Sequence, residues 1–226
     1  NELYRTSDFQ MNEKWSLETD TASFFLTINP ATATNARLVP TANNVAGNVL
    51  PAEPYFIYTA GKNYKDKLNP GYAAVVGEYL YSSSYDQGEG YSSTDIITGA
   101  TLAHPFNNLY PFTGGGAPTP SLRVHTSGNS LNPRQVEIKV NGTLVADLTM
   151  NFFDYLKSDI ALTPADLAAG NANVEVKNNC PLVNDRIVVA KLELTYPRLF
   201  NFDNANNFLF ELPAAAAGNY LEIAGF

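Results

Sequence analysis

Two adjacent residues constrain this chain's architecture more than any others. Asn141 and Gly142 stand between VEIKV (136–140) and TLVADL (143–148). Both tolerate positive φ, which a two-residue turn needs if it is to join right-twisted antiparallel strands without splaying them. In the first flank Val136, Ile138 and Val140 fall on one face, with Glu137 and Lys139 on the other, the period of a half-buried strand. A chain with this hairpin builds at least part of its core from antiparallel sheet.

Other segments repeat the pattern. SLRVHT (121–126) turns Leu122 and Val124 inward and sets His125 on the polar face. RIVVAKLELTY (186–196) predicts a long strand with Ala190, Leu192, Leu194 and Tyr196 on one face and Lys191, Glu193 and Thr195 on the other. Strands are also expected over 22–29, where Phe24, Leu26 and Ile28 share a face, over 36–39 and over 173–177. Residues 208–212 and 220–223 are expected to complete an antiparallel set. Residues 55–68 waver between strand and short helix before the Asn69-Pro70-Gly71 turn, and 102–120 read as one long connection. Gly114-Gly115-Gly116 lacks the following Lys-Ser/Thr and helix of a phosphate cradle. Thr163-Pro164 opens a short helix ending near Gly170, and Trp15 reads as a packing anchor. The expectation is an all-β, jelly-roll-like β-sandwich with one or two short helices. Residues 1–226 would form a single sandwich domain or two closely packed β subdomains with a seam near 110–120.

Composition limits the partners. Charged residues are only 16% and aromatics 12%, a balance tilted to strands, turns and loops and common in exported proteins. A net charge of −8 and the lack of any basic stripe argue against nucleic acid and anionic membrane surfaces. No apolar run approaches the length of a membrane-spanning helix, so no membrane insertion is expected. A lone Cys180 forms no internal disulfide, so packing must carry the fold. The chain opens at Asn1, which fits a processed product or an excised segment, and a secreted or cell-surface location is expected.

Residues 77–93, GEYLYSSSYDQGEGYSS, gather the residue types from which a binding site is made. In an extended strand Tyr79, Tyr81 and Tyr85 share a face, and Gln87-Gly88-Glu89-Gly90 then forms a loop before Tyr91. The tyrosines read first as half of a core and second as a carbohydrate-binding platform. Tyr79, Tyr81, Tyr85, Glu89 and Tyr91 are the candidate ligand or partner contacts. Asp86, Glu89 and Asp95 form one oxygen-rich cluster and Asn201, Asp203, Asn204 and Asn206 another; neither fits an EF-hand loop, and turn formation is the simpler reading over calcium. No other cofactor is expected. His104, read as a loop residue, and His125 lack zinc spacing, and Cys180 lacks a helix N-terminus to lower its pKa, so no catalytic residue is assigned.

Several segments taken together resemble the non-catalytic N-terminal β-domain of gingipain-family cysteine peptidases of the PorU type, from bacteria with type IX secretion. They are SLETDTASFFLTIN (16–29), residues 77–92 with the GEGY turn, the 140–148 hairpin, AKLELTYPRLFNFDNANNFLFEL (190–212) and YLEI (220–223). The resemblance implies an accessory domain beside a peptidase domain of the same polypeptide, or beside a surface protein, with the polypeptide continuing past Phe226. The family's catalytic histidine precedes a glycine, whereas His104 precedes Pro105 and His125 precedes Thr126, so no catalytic residue carries over. Asp20-Thr21-Ala22 is similar to the short O-glycosylation pattern of such bacteria. The alternative is a carbohydrate-binding module of a secreted protein, with a glycan as ligand.

Overall fold

The computed structural model describes residues 11–12, 26–28, 30, 45–71, 88–213 and 215–226. Its elements, in chain order, are β1 (Phe56–Asn63), β2 (Lys67–Pro70), β3 (Glu89–Ser92), β4 (Ile96–Ile97), β5 (Thr101–Phe106), β6 (Ser121–Gly128), β7 (Pro133–Val140), β8 (Thr143–Asn151), β9 (Tyr155–Ala161), α1 (Pro164–Leu167), β10 (Ala172–Asn178) and β11 (Arg186–Arg198). One sheet runs β1-β11-β6-β9, with β4 paired to β11; a second runs β5-β10-β7-β8; β2 and β3 form a two-stranded sheet. All the named pairings are antiparallel. The first two sheets face each other across one core, in which Leu122, Val124, Leu192, Leu194 and Tyr196 meet Val136, Ile138, Val140, Val174 and Val176. The chain is a β-sandwich of the jelly-roll-like, all-β kind that the alternation predicts. Each large aliphatic side chain removed from water there contributes about 1.5–3 kcal/mol.

The Asn141-Gly142 turn takes φ of +50° and +80°, as a type I′ hairpin requires. The Asn141 side chain also donates to the carbonyls of Asp166 and Asn171 and accepts from the Asn173 amide. It thereby ties the β7–β8 hairpin to α1, whose N-cap Thr163 and Asp166 form a capping box. Asn141→Ala puts a residue that tolerates left-handed backbone less well than Asn at φ +50° and removes these bonds. An unfolding titration is expected to show a loss of about 1–2 kcal/mol; a change within about 0.3 kcal/mol would mean that the side chain is idle.

Pairing overrides the local pattern at several places. Residues 55–68 resolve into β1 and β2, and Pro105 lies inside β5 rather than in a connection, because β5 is an edge strand that can spare a donor. Glu89 and Gly90 belong to β3, paired with Pro70 and Asn69, and not to a turn. Gly90 fits there because its φ is +148° and a Cβ would press on the Met11 side chain at 3.2 Å. In β11 the register shifts between Val189 and Lys191. The bulge turns Ala190 away from Leu192 to pack with Met11 and Val188 on the opposite face. Residues 26–28 lie outside any strand, with Leu26 and Ile28 exposed, since alternation without a partner edge makes no ladder. Residues 208–212 and 220–223 form no strand either. Their aromatic and aliphatic side chains pack instead on Phe56, Phe200 and Phe202, and only the isolated parallel bridge Ala52–Tyr220 forms. Trp15 and residues 36–39 lie outside the described residues. Among the described residues no helix is long and apolar enough to cross a membrane.

Candidate functional site

Tyr79, Tyr81, Tyr85 and Asp86 lie outside the described residues. Glu89 and Tyr91 occupy alternate positions of β3, both half-buried, with Lys65 Nζ 5.1 Å from the centre of the Tyr91 ring. Asp95 accepts from Lys67 Nζ at 2.8 Å and Asn129 Nδ2 at 3.4 Å. Asp203 accepts from Asn108 Nδ2 at 2.8 Å and Tyr110 Oη at 2.7 Å. These carboxylates therefore already have donors. Among the described residues no group of three or more His, Cys, Asp and Glu is placed to hold a metal.

The three residues weighed for catalysis occupy separate settings. Cys180 is buried, its thiol 3.5 Å from the Pro133 carbonyl. His125 is buried, contrary to the polar-face expectation, because residues 11–12 cover that side of the sheet; Met11 O lies 3.1 Å from His125 Nδ1. His104 is a β5 residue rather than a loop residue, edge-on to Phe106. Burial, then the charge of Lys62, lowers its pKa.

Sequence reasoning missed a constellation at one end of the sandwich. Arg134 Nε and Asp185 Oδ2 form a 2.7 Å ion pair with both side chains fully buried. Arg134 also donates to the carbonyls of Phe152 (2.8 Å) and Ser130 (3.0 Å). Asp185 accepts from Ser130 Oγ and, at 2.9 Å, from Asn178 Nδ2, which reaches on to Ile96 O at 3.1 Å. Burial pushes the Asp185 carboxyl up, but its hydrogen bonds from Arg134, Ser130 and Asn178 and the Arg134 charge outweigh this and leave it below its ordinary value. One ion pair thus joins β4 with the β6–β7, β8–β9 and β10–β11 connections. Outside it Leu131, Phe152, Leu182 and Val183 are each at least half exposed. Phe152 is held at φ +48°, strained for an aromatic residue, with its carbonyl fixed by Arg134. The signal was legible in part: Arg134 occupies the inward register of Val136, Ile138 and Val140.

A second cation, Arg198, continues the inward register of Leu192, Leu194 and Tyr196. Its guanidinium lies 5.1 Å from the ring centres of Tyr58 and Tyr110 and 5.3 Å from that of Phe208. It donates to the carbonyls of Asn108, Leu109 and Asn201 and to Tyr196 Oη. It thus ties the C-terminal segment to the β5–β6 connection. Beside that segment, residues 45–50 and 217–223 enclose an open cleft of about 430 Å³ with no charged side chain in its lining.

No protein-family model and no curated protein matches the chain. Solved structures similar to it include dimeric latent PorU from Porphyromonas gingivalis, at 7% identity and a TM-score of 0.45, over 70% of this chain and 14% of that one. A family 36 carbohydrate-binding module in complex with calcium and xylotriose is similar at 11% identity and a TM-score of 0.35, over 60% of this chain and 98% of that one. A family 35 carbohydrate-binding module from Clostridium thermocellum is similar at 16% identity and a TM-score of 0.33, over 63% and 98%.

Proposed function

We propose that this chain is a non-catalytic interaction domain of an exported, cell-surface protein and docks a neighbouring domain through the loop end built on Arg134 and Asp185. The observation that carries this reading is the outward set Leu131, Phe152, Leu182 and Val183 over a fully buried ion pair. Exposed apolar clusters mark interaction surfaces, and a surface held rigid beforehand loses little entropy on docking. The ordered sequence segments that resemble the PorU-type β-domain support a gingipain-like peptidase domain of the same polypeptide as the partner. The separate settings of Cys180, His104 and His125 support an accessory role rather than a hydrolytic one.

The test mixes the chain with the separately produced peptidase domain of its own full-length polypeptide and measures association by sedimentation. A stoichiometric complex is expected, weakened about tenfold or more by Val183→Asp or Leu131→Asp. Both variants should keep the parent's thermal midpoint, because both side chains are exposed. Wild-type affinity in both variants would count against the loop end. Peptide hydrolysis by the chain alone that disappears in Cys180→Ala would overturn the accessory role.

A second reading, glycan binding, is favoured by the uncharged cleft between residues 45–50 and 217–223. Small-molecule sites of roughly 300–1,000 Å³ combine apolar walls with a few placed polar groups.

A further inference from the structure

The cleft is built by two turns and a bridge. The 45–48 turn closes through Asn48 N to Val45 O at 3.1 Å, and Gly47 supplies its positive φ of +76°. The Asn48 side chain then clamps Leu50 from both sides, accepting from its amide at 3.1 Å and donating to its carbonyl at 3.0 Å. Opposite, Gly218 N donates to Ala215 O at 3.0 Å, and Glu53 N to Tyr220 O at 2.8 Å locks the two segments side by side. Leu221 anchors its wall in the Phe56, Phe200 and Phe202 cluster. Asn219 Nδ2 donates to Pro213 O at 3.3 Å.

We propose that this cleft binds an uncharged oligosaccharide segment, an inference that rests on the glycan-binding reading above and gives it a place. An anionic ligand would find no counter-charge in the lining and would meet a molecule of net charge −8, and the carboxylate of Glu222, between Leu221 and Ile223 of the lining, is already engaged by the Tyr220 hydroxyl at 3.1 Å. A purely apolar ligand would strip water from the N–H and the oxygen lone pairs that the Asn48 and Asn219 amides keep beyond their bonds to Leu50 and Pro213, without replacing its hydrogen bonds. An extended peptide binds by pairing with free backbone N–H and C=O groups, yet Asn48 N, Gly218 N and Tyr220 O are already paired. A neutral sugar offers C–H faces to Val45, Leu50 and Ile223 and hydroxyls to the amides, the pairing this lining asks for.

The test titrates the whole chain by calorimetry and by amide chemical shift with xylotetraose, cellotetraose and galactotetraose. An oligogalacturonate and an uncharged tetrapeptide serve as contrasts. At least one neutral oligosaccharide is expected to bind and to shift the amides of residues 45–50 and 217–223. Ala217→Trp, which fills the cleft from an exposed position, and Asn219→Ala should each weaken it about tenfold at an unchanged thermal midpoint. Neutral-glycan binding that both variants leave intact would overturn the site while sparing the glycan reading. Binding of no neutral glycan would remove both. Preference for the galacturonate or the peptide would overturn the ligand class.

Discussion

Arg134→Met, or Asp185→Asn, should lower the stability of this sandwich by about 3–5 kcal/mol, because either change leaves an uncompensated charge in a fully buried site. For a chain of this size that corresponds to a fall of roughly 6–20 °C in thermal midpoint. Arg134→Met also strips the donors from the Ser130 and Phe152 carbonyls, and Asp185→Asn turns one of two acceptor oxygens, Oδ1 for Ser130 or Oδ2 for Arg134 and Asn178, into an NH2 donor that faces other donors. Gly128 belongs to the same packing, since a Cβ there would strike the Arg134 guanidinium and the Phe152 carbonyl oxygen. Removing both charges in Arg134→Met/Asp185→Leu should restore much of the loss, because the cost lies in the unpaired charge more than in the missing attraction. Losses under about 1 kcal/mol in both single variants would mean that water reaches the pair.

The pair also sets an acid limit. Asp185 is held below its ordinary value in the folded chain, so the unfolded chain takes up its proton at higher pH. Its contribution is complete above the ordinary carboxylate range, about 4, and is lost as pH falls through the folded value. Stability of the parent should therefore drop more steeply below about pH 4 than that of Asp185→Asn. Since the network holds the Phe152 carbonyl and the Ser130 and Asn132 groups that flank Leu131, partner binding should weaken over the same interval.

The sandwich was legible because its central strands pair locally recognisable segments. Val136, Ile138 and Val140 declare an inner face, Asn141-Gly142 declares the turn, and the core confirms both. What escaped depends on pairing between distant segments. The bulge that reverses Ala190 has no mark in RIVVAKLELTY, since it is set by how β6 and β11 register. His125 looked solvent-facing because nothing local says that Met11 will lie across it. The aromatic residues between 200 and 226 carry strand-like alternation but pack as a cap on Phe56, where side-chain stacking such as Phe202 on Phe208 at 4.5 Å replaces a ladder. The two buried arginines carried a readable hint. Each stands at an inward position of an apolar strand, and such a residue must either break the strand or find partners brought by the fold.

For Arg198 that requirement yields the second large effect. Arg198→Met is expected to cost about 3 kcal/mol. It leaves the carbonyls of Asn108, Leu109 and Asn201 and the Tyr196 hydroxyl without their shared donor, and removes the cation from the faces of Tyr58, Tyr110 and Phe208. Arg198→Lys keeps the charge but not the planar fork that reaches several acceptors at once, so it should recover only part of the loss. Burial pushes the Tyr196 phenol up to about 12, against the opposing pull of Arg198. Tyr196 thus stays neutral in the folded chain, and its contribution is complete below about pH 10 and disappears as pH rises toward the folded value. Without Arg198 the phenol should titrate higher still, which ultraviolet titration of tyrosinate can follow. Hydrogen exchange should localise the damage to residues 199–226, because Arg198 joins them to the β5–β6 connection and Leu221 hangs from the same aromatic cluster. Any ligand held between residues 45–50 and 217–223 should then bind more weakly in Arg198→Met although Arg198 is absent from the cleft lining. Unchanged exchange in 199–226 would show that the aromatic packing alone holds the segment in place.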